Sequence, residues 1–175
     1  TNALARQRHE TTLRDSAARL AAATELAGLG FHEVDYREGN AFFDPRLLDL
    51  AGVPPELAKG LGPVGHWEEH LHPEDRERVV GQRRDLHDGT LEQVSSEYRY
   101  LHPTRGERWF HHVSRAVERD DGGRAVRTSG VLRDVTDRKR AELALQRSLT
   151  EIEQLKDQLQ AESDYLKAEI KTTHS

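Results

Sequence analysis

Ten histidines and no cysteine limit what this 175-residue chain can do chemically. Without thiols there is no disulfide, no thiolate metal site and no cysteine nucleophile. Metal binding would fall to imidazoles and carboxylates. The densest group is His66, His70 and His72 around Trp67. Spacing of i, i+4 places His66 and His70 on one face if their segment is helical. Pro63 and Gly65 count against a helix there, and no third ligand is specified. The group therefore reads as local structure and not as a metal site. His111 and His112 are adjacent in an alternating stretch, so their rings point to opposite faces and cannot share one ion. Ser95, Ser96, Ser114 and Ser129 fall in strand-like segments with no identifiable base. Gly60, Gly62 and Gly65 lack the preceding strand and the Lys-Ser/Thr ending of a phosphate loop. No catalytic constellation emerges, and the expectation is a segment that is not an enzyme.

Composition explains how such residues must be housed. Charged residues make up 33% of the chain and hydrophobic ones 35%, with a mean hydropathy of −0.83. That is too polar for a single compact globule of this length, and it fits a globule of roughly 110 residues flanked by exposed helices. A formal charge of −5 provides no basic footprint for direct contact with nucleic acid. No apolar run approaches the ~20 residues that cross a bilayer, and no signal-peptide pattern opens the chain. The expectation is a cytoplasmic protein with no membrane contact. With no Met and Thr at position 1, the chain reads as part of a longer parent whose output domain lies elsewhere.

Residues 1–28 read as an amphipathic helix, with Leu13, Ala17, Leu20, Ala21, Thr24 and Ala27 on one face. Gly28-Leu29-Gly30 ends it. Residues 31–36 alternate and pair through an Arg37–Asn40 turn with a strand at 41–44, giving a hairpin. Pro45 opens a short helix that Gly52 ends. Pro54, Pro55 and three glycines break up the next stretch. A longer helix starts at His72-Pro73-Glu74-Asp75, with its acids at the positive end of the dipole, and Asp88-Gly89 ends it. Three longer strands complete a domain over 29–136. The first places Val94, Ser96, Tyr98 and Tyr100 on one face. The second places Phe110, His112, Ser114 and Ala116 on one side, and Trp109, His111, Val113, Arg115 and Val117 on the other. Asp121-Gly122-Gly123 turns into the third. This order predicts an α+β fold, a five-stranded antiparallel sheet with short helices on one face.

From 137 to 175 the chain reads as one helix. Leu145, Ile152, Leu159 and Leu166 recur every seven residues. Leu149, Lys156, Ser163 and Ile170 hold the companion positions, a coiled-coil seam with polar interruptions. So charged a helix buries little alone, so a parallel homodimer is expected. The N-terminal helix or the outer sheet face, unusually apolar around Trp109 and Val113, is expected to extend the contact.

The ordered motifs Gly28-Leu29-Gly30-Phe31, His72-Pro73-Glu74-Asp75-Arg76-Glu77-Arg78-Val79, Glu97-Tyr98-Arg99, Gly106-Glu107-Arg108-Trp109 and Gly130 to Lys139 resemble the PAS domains of bacterial two-component and transcriptional regulators. The resemblance spans roughly residues 17–140. Asp134-Val135-Thr136 matches the Asp-Ile-Thr junction that such domains place before a signalling helix. Residues 155–170 are similar to the helix preceding the ATPase of sigma-54-dependent activators, with a histidine kinase as the alternative output.

The resemblance implies a ligand space between the sheet and the short helices. Phe43, Trp67, Tyr98, Phe110, His112 and Leu132 are the expected lining, with a structural, hydrogen-bonded His112 the stronger reading. The ligand is unknown, and a small molecule is possible. The light-sensing flavin members carry an adduct-forming Cys, which is missing here. The oxygen-sensing haem members carry a His where this chain has Arg78, Val79 and Val80, leaving only His87 or His112 as unusual ligands. Flavin and haem are both disfavoured, and the pattern of the periplasmic dicarboxylate sensors differs. Asp134, Thr136 and Asp137 are the expected relay. Thr136 or Asp137 can cap the outgoing helix, and Asp134 can pair with an Arg or a backbone donor at the strand end. The resulting expectation is a sensor and dimerisation module, with a ligand-free dimerisation spacer as the alternative.

Overall fold

The computed structural model describes residues Thr1–Ser175 and divides into two units, Thr1–Val135 and Thr136–Ser175. In the first unit, helix α1 (Asn2–Leu26) leads into strand β1 (Leu29–Asp35), which pairs with β2 (Asn40–Phe43). Helices α2 (Pro45–Ala51), α3 (Gly62–Glu69) and α4 (Pro73–Asp88) follow, with a 3₁₀ turn at Pro55–Leu57 between the first two. Strands β3 (Gln93–His102), β4 (Gly106–Arg119) and β5 (Ala125–Asp134) complete one antiparallel sheet in the order β2-β1-β5-β4-β3. The first and last strands of the domain are thus central neighbours, with β1 running against β5 from Leu29↔Arg133 to Asp35↔Arg127.

Local chemistry sets the helix starts. Asp44 accepts from the Leu47 N–H at 2.8 Å and Pro45 occupies the first turn of α2, where a missing N–H costs nothing. His72 caps α4 through Nδ1, which accepts from the Glu74 N–H at 3.2 Å. The α4 start is then tied to β3. The Asp75 carboxylate accepts from the Arg99 backbone N–H (2.8 Å) and from its guanidinium (2.9 and 3.0 Å). The Arg99 hydrogen bonds hold the Asp75 pKa below its ordinary value. Two of the sequence motifs, His72–Val79 and Glu97–Arg99, are therefore the halves of one clamp.

The core lies between the sheet and α2 to α4. Leu47, Leu50, Ala51, Trp67, Leu71, Val79, Tyr98, Tyr100, Phe110 and Leu132 form one buried cluster. Each fully buried large side chain contributes about 1.5–3 kcal/mol from burial. Close approach of α2 to β1 needs Gly30, because a Cβ there would sit 2.8 Å from the Leu47 Cβ.

One expectation changes. The segment around Pro63 and Gly65 is helical after all. Pro63 falls in the first turn of α3, where proline is tolerated. The apolar stripe of α1 buries none of its residues, and Leu13 and Leu20 remain exposed. On the outer sheet face Arg99 lies over the Trp109 ring at 5.9 Å.

The second unit is the single helix α5 (Thr136–Thr173). Leu145, Leu149, Ile152, Leu159, Leu166 and Ile170 are all exposed along it. No helix is long and apolar enough to cross a membrane.

Candidate functional site

A cavity of about 60 Å³ lies between the sheet and α3 and α4. The sheet contributes His32, Ser96, Tyr98, His112, Thr128 and Leu132. Trp67 from α3 closes one side, and Val79, Gln82, Arg83 and Leu86 from α4 another. Arg83 is the only charged residue in the lining.

Strand alternation places the sheet residues. His32, flanked by Phe31 and Glu33, points inward with Gly30 and Val34. On β3, Ser96, Tyr98 and Tyr100 point the same way. On β4 and β5, His112 and Leu132 are directly paired across the ladder.

These side chains form a continuous polar chain. Trp67 Nε1–H donates to Tyr98 Oη at 2.9 Å. Tyr98 Oη lies 3.2 Å from His112 Nδ1. His112 Nε2 lies 2.7 Å from His32 Nε2. Indole can only donate, and that fixes the direction of the rest. With Trp67 donating to its oxygen, Tyr98 has one proton to give, and His112 Nδ1 accepts it. His112 then carries its proton on Nε2 and donates to His32 Nε2. His32 is left with its proton on Nδ1, and that atom is buried with no partner. The opposite order would leave both the Tyr98 hydroxyl proton and the His32 Nδ1 lone pair without partners, so the first order is favoured.

Electrostatics agree with neutral rings. Burial lowers the His32 pKa to about 4. Burial, and then the neighbouring His32 and His111, hold His112 well below its ordinary value. Burial pushes the Tyr98 phenol up, so it stays protonated.

Gly130, which opens the motif before α5, pairs with His32 across β1 and β5. A Cβ at Gly130 would collide with His32 Nε2 and lie 2.6 Å from the Val113 carbonyl oxygen. The glycine gives the His32 ring its berth.

Five of the six expected lining residues, Phe43, Trp67, Tyr98, His112 and Leu132, line the cavity. Phe110 does not. It lies in the packed core, stacked on Tyr100 with ring centroids 4.8 Å apart. Sequence reasoning missed His32, Gln82 and Arg83. The alternation of residues 31–36 was the available signal for His32. Nothing in the sequence placed the α4 face over the sheet.

The histidine group at 66–72 resolves into structure. His70 Nδ1 donates to the His66 carbonyl at 2.7 Å, and His66 Nε2 donates to the Ala51 carbonyl at 3.2 Å. No group of three or more metal-ligating side chains exists. His87 packs edge-on against Tyr36 at 4.7 Å and lies outside the cavity lining. His112 lines it with both ring nitrogens engaged.

At the strand end, Asp134 accepts from Arg108 Nε and Nη2 at 3.0 and 2.8 Å. Thr136 is buried and is the first residue of α5. Asp137 is exposed in the first turn, where a carboxylate favours the positive helix end.

A family model described as PAS fold matches residues 40–132. The chain belongs to the PAS fold family. Among solved structures it is similar to a sensory-box histidine kinase/response regulator from Burkholderia thailandensis. Identity is 25%, the TM-score 0.64, and the match covers 78% of this chain and 98% of that one. It is also similar to the N-terminal domain of a diguanylate cyclase with a PAS/PAC sensor from Marinobacter aquaeolei. There identity is 24% and the TM-score 0.53, over 63% of this chain and 98% of the other. A light-oxygen-voltage domain studied with a flavin analogue shares the fold at 21% identity and a TM-score of 0.51, over 76% of this chain and 96% of the other. No curated protein sequence matches the chain.

Proposed function

We propose that this chain is the sensory and dimerisation module of a bacterial cytoplasmic regulator. In this reading a small molecule or partner is perceived by the globule, and the change is relayed through α5 to an output domain. That output is a sigma-54-dependent ATPase activator or a histidine kinase. The segment itself performs no catalysis. One observation carries the reading. Leu132 lines the cavity, Asp134 ends the same strand, and α5 begins at Thr136. With one residue between strand and helix, a displaced strand must carry the helix start with it.

Two copies pair through the α5 seam of Leu145, Leu149, Ile152, Leu159, Leu166 and Ile170. All six are exposed in the single chain, and burying them along a second copy supplies the driving force. A ligand shifts the balance between two dimer poses only if it binds one better. A flavin or haem fits the site poorly. An engineered 150 Å³ cavity is what benzene occupies, whereas about 60 Å³ is open here. In addition, the chain has no Cys, and both His112 nitrogens are engaged.

The alternative, a dimerisation spacer without sensing, is separated by distance measurement. The chain lacks Cys, so Gln154→Cys and Ala161→Cys each give a single labelling site, on the side of α5 away from the seam. Spin-label distances between copies are measured with and without Val79→Phe, which fills the cavity. A dimer whose distances change supports the sensor. A dimer with unchanged distances supports the spacer, and no inter-copy distance rejects both.

A further inference from the structure

The cavity has a definite chemical preference, and naming it deepens the sensory reading on which it rests. We propose that the cavity binds a short aliphatic carboxylate of two or three carbons, held by His32 Nδ1–H and the Arg83 guanidinium.

Three observations carry this. The polar chain from Trp67 ends at His32, whose Nδ1 is buried without a partner and, by the proton order above, is a donor. His32 is only 8% exposed, so bulk water does not satisfy that donor. On the opposite wall, Arg83 Nη1 is also buried and unpartnered. Its Nη2 is held by Glu68 at 2.8 Å and its guanidinium lies 5.8 Å from the centre of the Trp67 ring. Two orphaned donors on residues that line one space call for an acceptor, and one of them is a cation.

Charge then selects among acceptors. No carboxylate belongs to the lining, and the histidines there are neutral. Arg83 therefore meets no anion on the cavity side, and a carboxylate ligand supplies one. Hydrogen bonds to charged groups are the stronger kind. Gln82, whose Oε1 is also unpartnered, can turn its amide NH2 to donate to the carboxylate. The rest of the wall is aliphatic, with Val79 and Leu86 among it, and suits a short apolar body. Size sets the upper limit. About 60 Å³ is less than half of what accommodates benzene.

The test is calorimetric titration of the whole chain with acetate and propionate, with propionamide and 1-propanol as uncharged counterparts. Chloride serves as the ionic-strength control. Propionate is expected to saturate, with propionamide and propanol weaker by roughly tenfold or more. Arg83→Gln is expected to weaken propionate by a similar factor and leave propionamide unchanged. Imidazole nitrogen NMR on the unaltered chain needs no variant. The His32 Nδ1 proton resonance should move with propionate and not with chloride. Absence of saturation by both acids at millimolar concentration overturns the proposal and leaves water as the occupant. Equal affinity for propionamide, or an Arg83→Gln variant that binds propionate as before, also overturns it. If the acids fail while Val79→Phe still alters the inter-copy distances, the ligand class is wrong and the relay stands.

Discussion

Tyr98 and Tyr100 lie two residues apart on one face of β3, both fully buried, and they do opposite jobs. Tyr100 belongs to the closed end of the core. Its ring stacks on Phe110, and its hydroxyl donates to the Ala51 carbonyl at 2.7 Å. That carbonyl also receives His66, so both lone pairs are in use. Tyr98 belongs to the open end. Its hydroxyl receives Trp67 and hands its proton toward His112 and His32, where the chain of bonds stops at an orphaned nitrogen. The closed end is satisfied and has no room. The open end is unsatisfied and has some. A sheet that concentrates its apolar packing at one end can tolerate unmet polar groups at the other.

The largest test of this contrast is Phe110→Ala. It removes a ring from the closed end, where neighbours on all sides are well packed. A loss of about 3–5 kcal/mol is expected, read by urea denaturation. A loss below about 1 kcal/mol, the range of a mild core truncation, would mean that the closed end is as loosely packed as the cavity.

Acid comes next. His32 is lowered by burial to about 4, against roughly 6.5 for a free imidazole. The unfolded chain therefore binds the proton more readily. The stabilisation is complete above about pH 6.5 and is lost as the pH falls toward 4, amounting to about 3 kcal/mol for this one group. His112 shifts in the same direction, as do His66 and His102. The raw slope alone is thus not diagnostic. The comparison with His32→Phe is, because the variant should lose less stability over that interval. Asp75 responds only at lower pH, since its pKa lies below its ordinary value. Parallel curves for the two proteins would refute a buried neutral His32.

The two tyrosines can be compared directly. Tyr98→Phe leaves Trp67 Nε1–H and His112 Nδ1 without the hydroxyl they share, and costs about 1–3 kcal/mol. Tyr100→Phe leaves the Ala51 carbonyl still bonded to His66, and costs about 0.5–1.5 kcal/mol. Denaturation midpoints rank them, and the reverse ranking would contradict the bridging role of the Tyr98 hydroxyl between Trp67 and His112.

The same contrast explains what the sequence could reveal. Period-two alternation exposes the inward face of β3 and β4, and with it Tyr98, His112 and the closed-end pair Tyr100 and Phe110. Capping chemistry locates α2 and α4. Alternation reports the face of a residue and not its position along the sheet, so it puts Phe110 in the lining although that ring packs one residue pair away. The helix α3 is hidden because Pro63 looks like a breaker until its place in the first turn is known. Arg83 and Gln82 are hidden for another reason. On a helix so rich in charge, a half-buried guanidinium looks like any solvated one, and only the docking of α4 on the sheet distinguishes it. Among the candidate relay residues, Asp134 is legible as a residue needing an Arg, but which Arg depends on the register that brings Arg108 beside it.

The smallest expected change in stability concerns that pair. Asp134 and Arg108 are partly buried, and their contact is bidentate on the arginine side. Partial solvation discounts the interaction, so Asp134→Ala should lower stability by only about 1 kcal/mol. Its effect on the relay should be larger than its effect on folding. The carboxylate anchors the last residue of β5 to β4 two positions before α5 begins. Releasing it loosens the junction without opening the core, since Leu132 and Phe110 remain packed. A melting curve of the variant should therefore lie close to that of the parent chain, while the inter-copy distances at Gln154→Cys and Ala161→Cys broaden. A variant that melts much earlier would make Asp134 a folding residue. One that keeps both the melting point and the distances would remove it from the relay.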